Sequence, residues 1–167
     1  MSKNVFVTVG STHFNDLIEE VTQSAFLKVL YSKGYKFLSI QIGKGTYVPD
    51  EGVFQGVNVE VFRYKETLKD NFERSDLVIS HAGAGSCIEA LECNKPLIAV
   101  INHSLMNNHQ IELAEALAEQ GFSKWCYTDT LLSILAEFDA SSLTPYTPGE
   151  PCKIVEYIDS VFKLQTI

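Results

Sequence analysis

The sequence predicts an α/β protein built on a single doubly wound, mostly parallel sheet. Short β-branched or apolar segments alternate with longer segments of helical periodicity, and glycines stand where several predicted strands end. Strands that alternate with helices are typical of parallel sheets with crossover helices. The chain has 167 residues, of which 46 % are hydrophobic and 20 % charged. This is enough for one domain with its own core, and it excludes disordered and collagen-like proteins.

The first half of the chain contains three predicted strands and two predicted helices. A β-branched run at residues 4–10 ends in glycine, which predicts a buried strand and a tight turn. A single helix is predicted over residues 14–32, because apolar residues recur on one face until Gly34 ends the pattern. The remaining elements are a strand at 36–42, a loop to residue 56, a strand at 57–62 and a short helix at 67–74.

The second half continues the alternation and then changes composition. Its predicted elements are strands at 77–80 and 96–101, a turn at 83–85, and helices at 86–93, 107–120 and 128–138. Residues 141–151 hold three prolines and a glycine, and we expect them to link a domain of residues 1–140 to a C-terminal segment, 152–167. That segment contains an amphipathic helix at 153–164, which could dock on a partner or pack on its own domain.

The distribution of charge argues against nucleic acid as a partner. The net charge is −8. Residues 1–75 carry nine basic and nine acidic groups, whereas residues 76–167 carry four basic and twelve acidic groups. No basic face emerges from this pattern. An anionic ligand must therefore be held by local donors rather than by the overall field.

The remaining composition predicts a cytosolic protein without bound metal. The longest purely apolar run is only residues 97–101, and the N-terminus lacks the hydrophobic stretch of a signal peptide. The four cysteines form no C-x-x-C pair and have no histidine at zinc-finger spacing. We expect reduced thiols that pack as small hydrophobic side chains, and a cytosolic location unless a partner holds the chain elsewhere.

Ligands of doubly wound sheets bind at the carboxyl ends of the strands, which makes the strand-to-helix turns the candidate sites. The first turn reads Gly10-Ser11-Thr12-His13. Glycine lets an anion approach the backbone, and the hydroxyls and the following helix N-terminus offer donors to a phosphate. Capping of the helix by Ser11 or Thr12 explains the same residues. Neither a dinucleotide fingerprint nor a P-loop is present.

The second turn, HAGAGSCIE at residues 81–89, directly follows the strand SDLVIS. Its two glycines leave an open backbone at a helix N-terminus, where aligned N–H groups suit a diphosphate. Ser86 and Glu89 lie on one side of the helix, and the carboxylate could accept hydrogen bonds from a ribose diol. Their spacing is also that of a capping box, and the two interpretations stay open. His81 either donates to a phosphate or is a satisfied structural histidine.

The third turn, at residues 102–110, holds four amide side chains and two histidines. Amides at this density favour a hydroxyl-rich ligand, because a buried donor or acceptor left unpaired costs about 1–3 kcal/mol. The alternative is an exposed polar loop in which Asn107 or Asn108 caps the next helix. We favour a binding site, because the other two turns would lie beside this one.

Several motifs occur in the order found in a known family. VTVGST, SDLVISHAGAGS, NKPLIAVIN and LMNNHQIELA resemble the donor-binding domain of GT-B glycosyltransferases of family 28. Within that family they are most similar to the cytosolic subunits of eukaryotic UDP-GlcNAc transferases. The resemblance covers about residues 4–125, with Leu113 standing where bacterial relatives have an asparagine. It implies a Rossmann-like domain that forms the donor-binding half of a GT-B enzyme.

The resemblance implies a role for each matching position. The diphosphate would be bound by Gly10, Ser11, Thr12, His81, Gly83, Gly85 and Ser86. Glu89 would bind the ribose diol, and the segment at Phe62 and Arg63 would cradle uracil, largely through its backbone. The transferred sugar would lie near Asn108, His109 and Gln110.

The resemblance also implies a reaction and a partner. We expect inverting transfer of GlcNAc from UDP-GlcNAc to GlcNAc-diphosphodolichol, without a cofactor or a metal, since no D-x-D motif is present. The general base is unassigned, and His13 and a residue of a partner are both candidates. A membrane-anchored acceptor-binding subunit would recruit the chain to the cytosolic face of the endoplasmic reticulum as a heterodimer. A non-catalytic UDP-sugar-binding or regulatory module is the alternative.

Overall fold

A computed structural model describes residues 2–103 and 108–147 of the chain. Seven strands in these residues form one sheet: β1 (Lys3–Thr8), β2 (Tyr35–Gln41), β3 (Gly52–Phe54), β4 (Val57–Phe62), β5 (Leu77–His81), β6 (Leu97–Ile101) and β7 (Ser123–Tyr127). The helices of the same residues are α1 (Asn15–Thr22), α2 (Ser24–Ser32), α3 (Lys69–Arg74), α4 (Ala84–Glu92), α5 (Asn108–Glu119) and α6 (Leu131–Glu137).

The strand order confirms the predicted doubly wound sheet. The order is β3-β4-β2-β1-β5-β6-β7, and every neighbouring pair is parallel except β3 and β4. The chain builds outward from β1 to β4, returns to β5 on the other side of β1, and then builds outward to β7. This reversal between β1 and β5 is a topological switch point, and it opens a crevice at the carboxyl ends of those two strands.

The two faces of the sheet bury separate hydrophobic clusters. Val5 and Val7 of β1 face a cluster that includes residues of α1, α2 and α6. Phe6, between them in sequence, faces the opposite side and packs with Phe72 of α3 and with residues of α4 and α5. This alternation follows from the two-residue side-chain period of a strand. Because helices cover both faces, β5 and β6 are buried along almost their whole length and β1 is buried from Val5 to Thr8.

The single helix expected at residues 14–32 is wrong, since the structure has two helices, α1 and α2. Gln23 between them has an extended backbone, with φ −62° and ψ 143°. The Thr22 hydroxyl donates to the carbonyls of Ile18 at 2.8 Å and Glu19 at 3.0 Å. Side chains of this kind compete with helical backbone bonds, which favours a break at this point. The apolar periodicity continues across the break because both helices pack on the same cluster.

The sequence patterns did not predict β3 and β7. The strand β3 forms a hairpin with β4 through a two-residue turn, and both turn residues, Gln55 and Gly56, have positive φ. That turn geometry is usually marked by Asn-Gly or Asp-Gly in the sequence, so the Gln55-Gly56 pair did not indicate a hairpin. The strand β7 is also short, and polar residues interrupt its apolar pattern. Its place in the sheet depends on pairing with β6.

The described part of the predicted linker packs on the domain. The Thr144 amide donates to the Gly121 carbonyl at 2.8 Å, and the Tyr146 ring meets the Phe122 ring edge-on at 5.6 Å. The predicted amphipathic helix at 153–164 lies outside the described residues. None of the helices formed by the described residues combines the length and the hydropathy that a membrane span requires.

Candidate functional site

The turn after β1 is held by the side chain of Thr8. The Gly10 amide donates to the Thr8 hydroxyl at 3.0 Å, and that hydroxyl donates to the Gln41 side chain at 2.5 Å. Gly10 has φ +61°, a conformation that favours glycine. The N-cap residue of α1 is Phe14, which makes no side-chain capping bond. The expected alternative, capping of the helix by Ser11 or Thr12, is therefore wrong.

The turn after β5 is arranged around the His81 carbonyl oxygen. This oxygen accepts from the Gly83 amide at 2.6 Å and from the Ser80 hydroxyl at 2.7 Å. The Cys87 thiol approaches the same oxygen at 3.8 Å. These contacts turn the chain sharply enough for α4 to start at Ala84. The helix N-terminus therefore points into the crevice beside the end of β1.

The start of α4 excludes a capping box at Ser86 and Glu89. The N-cap residue is Gly83, and Ser86 lies inside the first helical turn. The first intrahelical bond runs from the Cys87 amide to the Gly83 carbonyl at 3.1 Å. The amides of Ala84, Gly85 and Ser86 come before that bond and have no intrahelical acceptor. Three backbone donors of one helix end thus remain for a ligand.

Two glycines let the first and second turns meet at His81. A β-carbon added to Gly10 would lie 2.9 Å from His81 Cε1 and 3.8 Å from Ser86 Oγ. A β-carbon added to Gly83 would collide with the same imidazole. In contrast, nothing lies within 4 Å of a β-carbon added to Gly85, which faces open space. The structure therefore brings together Gly10, His81, Gly83 and Ser86, whereas Gly85 is exposed.

Burial sets the protonation of His81. Desolvation lowers the pKa of the imidazole below its ordinary value of 6.5, and the nearby Thr8 backbone offsets part of this shift. His81 is therefore neutral at pH 7. A neutral imidazole offers one N–H donor without adding a full charge to the crevice.

Glu89 lies one helical turn beyond Ser86 on α4. Its side chain is half-buried, and burial together with the nearby Glu92 raises the pKa of its carboxyl. Within the described part of the chain, neither the Ser86 hydroxyl nor the Glu89 carboxylate has a hydrogen-bond partner. Both groups are therefore available to a ligand that enters from the end of α4.

Phe62 and Arg63 follow β4 at the same edge of the sheet. The Phe62 ring stacks on Phe6, with centroids 6.3 Å apart and an interplanar angle of 9°. The Arg63 guanidinium donates to the carbonyls of Gly43 at 3.1 Å and Gly45 at 2.9 Å. A cavity of about 370 Å³ lies here. Its lining residues include Ile42, Pro49, Asp50, Glu51, Phe62 and Arg63.

The third turn follows β6, with Asn102 buried at the end of the strand. Next to it, His103 stacks on Tyr127, with ring centroids 3.9 Å apart. Residues 104–107 and the side chain of Asn108 lie outside what the structure describes. Nδ1 of His109 lies 3.9 Å from a Glu112 carboxylate oxygen, and Gln110 is half-buried on the same helix.

Strand pairing places the predicted site residues along one edge. Thr8 pairs with Ser80, and His81 with Val100, so the first, second and third turns are successive neighbours. Phe62 pairs with Gln41 on the other side of β1, which places the predicted uracil segment beyond the first turn. His13 is exposed on the first turn. The position of the bacterial asparagine, Leu113, is only 7 % exposed and belongs to the core.

The sequence interpretation missed the loop after β2 as part of this site. Gly43 has φ +53°, and a β-carbon there would lie 2.8 Å from the Gly10 carbonyl and collide with that of Thr12. The Lys44 amide also donates to the Thr12 carbonyl at 2.8 Å. A Gly-Lys-Gly sequence directly after a strand was the available signal.

The thiols of the cysteines in the described residues all have raised pKa values, which disfavours the nucleophilic thiolate. Burial raises the pKa of Cys87 and of Cys126 to about 12. The pKa of the half-buried Cys93 is also raised, first by burial and then by neighbouring carboxylates. The described residues contain no group of three His, Cys, Asp or Glu side chains that could hold a metal ion.

Comparison with known proteins assigns a family to this chain. The model of the glycosyltransferase family 28 C-terminal domain matches residues 4–157. Human UDP-N-acetylglucosamine transferase subunit ALG13 is 52 % identical over 124 residues, which are 74 % of this chain and 11 % of the human protein. The Saccharomyces cerevisiae protein of the same name is 30 % identical over 178 residues, covering 87 % of this chain and 88 % of the yeast one. The chain thus spans about a ninth of its human relative and most of its yeast relative.

Solved structures give the same result for the fold. An NMR solution structure of ALG13 superposes with a TM-score of 0.69 at 27 % identity, over 96 % of this chain and 94 % of that one. A crystal structure of Acinetobacter baumannii MurG superposes with a TM-score of 0.66 at 18 % identity, over 98 % of this chain and 50 % of MurG. The chain belongs to the family of glycosyltransferase family 28 C-terminal domains, whose matching relatives here are UDP-N-acetylglucosamine transferase subunits.

Proposed function

We propose that this chain is the donor-binding subunit of a transferase that moves GlcNAc from UDP-GlcNAc to GlcNAc-diphosphodolichol. The observation that supports it most strongly is the meeting of Gly10, His81 and Ser86 over the N-terminus of α4. Three backbone amides, a neutral imidazole and a hydroxyl converge there, with no carboxylate between them. This is a donor set suited to a diphosphate.

The local donors matter because the protein as a whole repels anions. With a net charge of −8, the chain has no long-range attraction for UDP-GlcNAc. Oriented amides at a helix N-terminus act like roughly half a positive charge without adding a basic side chain. They are already in place before the reaction, so they can stabilise the charge that develops on the leaving diphosphate.

In the proposed reaction, an acceptor hydroxyl attacks the anomeric carbon of GlcNAc from the face opposite UDP. The new glycosidic C–O bond forms as the C–O bond to the diphosphate breaks, and UDP leaves with the electron pair. The donors at α4 stabilise that pair, and the Glu89 carboxylate accepts hydrogen bonds from the ribose diol. A general base takes the acceptor proton, and the candidates remain exposed His13 and a residue of the partner.

The names of the relatives support a second subunit. This chain superposes on about half of the MurG chain, which shows the shared fold. Its relatives are named as transferase subunits, which supports a complex. We propose a membrane-anchored acceptor-binding partner that recruits the chain to the cytosolic face of the endoplasmic reticulum. The C-terminal segment 152–167 is the proposed docking element.

Titration of the purified chain with UDP-GlcNAc by calorimetry tests the donor site. We expect Glu89→Gln to weaken binding by about tenfold or more, since a hydrogen bond to a charged group is worth about 1.5–3 kcal/mol. Glu92→Gln is the matched control, because Glu92 lies on the same helix and is exposed. Absence of binding at millimolar ligand, or equal affinity of both variants and the wild type, would refute the donor site.

A transfer assay separates this proposal from its alternative. The chain is mixed with membranes that contain the acceptor-binding subunit, UDP-GlcNAc and GlcNAc-diphosphodolichol. Transfer that requires both the chain and the membranes supports a catalytic subunit. Binding of UDP-GlcNAc without any transfer under these conditions would instead favour a non-catalytic UDP-sugar-binding or regulatory module.

A further inference from the structure

We propose that the Arg63 side chain positions the diphosphate-binding turn through the loop after β2. This inference rests on the proposed function, and it gives Arg63 a role distinct from uracil binding by its backbone. The loop at residues 43–47 lies between the Arg63 guanidinium and the first turn, and we call it the support loop. Arg63 is a positioning residue in this proposal, because its side chain acts on the bound UDP-GlcNAc through other residues.

The first step is the bond between Arg63 and the support loop. A single guanidinium nitrogen, Nη1, donates to the Gly43 carbonyl at 3.1 Å and to the Gly45 carbonyl at 2.9 Å. A hydrogen bond with a charged donor is roughly twice as strong as a neutral one. The Gly45 amide also donates to the Ile42 carbonyl at 2.9 Å, which closes a tight turn. Arg63 therefore holds both sides of that turn at once.

The second step is the contact between the support loop and the first turn. The Lys44 amide donates to the Thr12 carbonyl at 2.8 Å. Gly43 lies so close to Gly10 and Thr12 that a β-carbon on it would collide with the Thr12 carbonyl. A displacement of the support loop must therefore move the backbone of the first turn. In that turn the Gly10 amide donates to the Thr8 hydroxyl and the Thr12 amide to the Val9 carbonyl, which leaves the Ser11 amide as its donor on the β1 side of the crevice.

A separate clamp fixes the far end of the support loop. The Asn15 side chain accepts from the amides of Thr46 at 3.1 Å and Tyr47 at 3.3 Å, and its amide group donates to the Thr46 hydroxyl at 2.7 Å. Asn15 is the first residue of α1. Arg63 and Asn15 thus hold opposite ends of the loop, and Arg63 ties it to the end of β4.

Arg63 therefore couples the segment predicted to bind uracil to the turn predicted to bind the diphosphate of UDP-GlcNAc. The backbone at Arg63 is predicted to contact uracil, while its side chain supports the turn that is predicted to contact phosphate. Loss of the side chain should therefore weaken the binding of ligands that carry the diphosphate. The binding of ligands that carry only the nucleoside should be nearly unchanged. If the side chain bound uracil itself, its loss would weaken the binding of both classes of ligand equally.

The test compares Arg63→Ala with Arg74→Ala as a matched control. Arg74 is an exposed arginine at the end of α3, before β5, and so at the opposite edge of the sheet. Binding of uridine, UDP and UDP-GlcNAc is measured by NMR titration. We expect Arg63→Ala to weaken the binding of UDP and UDP-GlcNAc by about tenfold and the binding of uridine by less than about twofold. Arg63→Lys should have an intermediate effect on UDP binding, and Arg74→Ala should bind all three ligands as the wild type does. Equal losses for uridine and UDP, or no loss at all, would overturn the proposal.

A measurement without ligand keeps this test independent of the proposed function. Amide hydrogen exchange is followed at Lys44, whose N–H bonds to the Thr12 carbonyl. We expect exchange at this amide to accelerate by about tenfold or more in Arg63→Ala relative to Arg74→Ala, while core strand amides keep their protection. Unchanged protection of Lys44 would overturn the positioning role even if UDP binds. A chain that binds no UDP but shows the accelerated exchange would instead refute only the proposed function.

Discussion

At the scale of single residues, His81 shows how packing controls charge in this crevice. Two glycines leave room for its ring, and burial lowers the pKa of the imidazole below 6.5. Below pH 6.5 the unfolded chain therefore binds this proton more readily than the folded chain. The contribution to the free energy of unfolding is present above pH 6.5, and it declines as the pH falls towards the lower pKa of the folded state.

The variant His81→Gln tests this linkage. It removes the titrating group, so the stability advantage of the wild type over the variant should shrink as the pH falls from about 7 to about 5. Urea denaturation at a series of pH values measures the two free energies of unfolding. A stability difference that is independent of pH would show that His81 titrates in the folded protein as it does in the unfolded chain.

Two glycines of the site differ in what an added methyl group would meet. Gly10→Ala combines φ +61° with a contact of 2.9 Å to His81. We expect it to lower the free energy of unfolding by about 1–3 kcal/mol. Gly85→Ala meets open space on a helix, so stability should be unchanged or higher by up to about 1 kcal/mol.

Ligand binding gives the same pair a second readout. If the diphosphate approaches the backbone at Gly85, the methyl group of Gly85→Ala obstructs it, and UDP-GlcNAc affinity falls while the fold stays intact. Urea denaturation and calorimetric titration on the same samples separate the two effects. A Gly85→Ala variant with full affinity would remove Gly85 from the binding surface.

At the scale of elements, the start of α4 excludes a capping role for Ser86. A serine that caps a helix contributes about 0.5–2 kcal/mol, whereas Ser86 lies inside the first turn behind Gly83. We expect Ser86→Ala to change the free energy of unfolding by no more than about 0.5 kcal/mol and to weaken UDP-GlcNAc binding. A loss of stability with unchanged affinity would restore the capping interpretation.

Elements with a strong local hydrophobic pattern could be predicted from the sequence. Elements whose formation depends on pairing or packing with other elements could not. The β-branched strands β1, β5 and β6 and the helix α5 lie within a few residues of their predicted bounds. The strand β7 has a mixed pattern and exists through its pairing with β6. The break between α1 and α2 was invisible to periodicity, because both helices bury their apolar side chains in the same cluster.

At the scale of the whole molecule, charge and fold act in opposite directions on an anionic ligand. The acidic half of the chain, residues 76–167, carries the full net charge of −8 and also contributes α4. The sheet order turns the N-terminus of that helix towards the end of β1. The fold thus assembles a compact set of neutral hydrogen-bond donors within an acidic protein, and we expect these local donors, rather than the overall charge, to hold an anionic ligand.

The candidate site could be assembled from the sequence only as far as its turns. Sequence order and the switch-point rule placed Gly10 and His81 at one edge, since both follow parallel strands. The sequence contained no signal that the Arg63 side chain faces the support loop, because that contact joins segments 18 and 20 residues apart. The roles of the site residues toward UDP-GlcNAc stay predictions until binding is measured.

The sequence by itself determined the class of fold, through strands and helices that alternate with clear local periodicity. It also determined which turns bear glycines, hydroxyls and amides, because those residues can be read directly from the chain. Only the tertiary structure excluded helix capping by Ser86 and by the hydroxyls of the first turn. The reason is physical: a cap depends on the backbone angles of one residue at a helix end, and contacts distant in sequence set those angles.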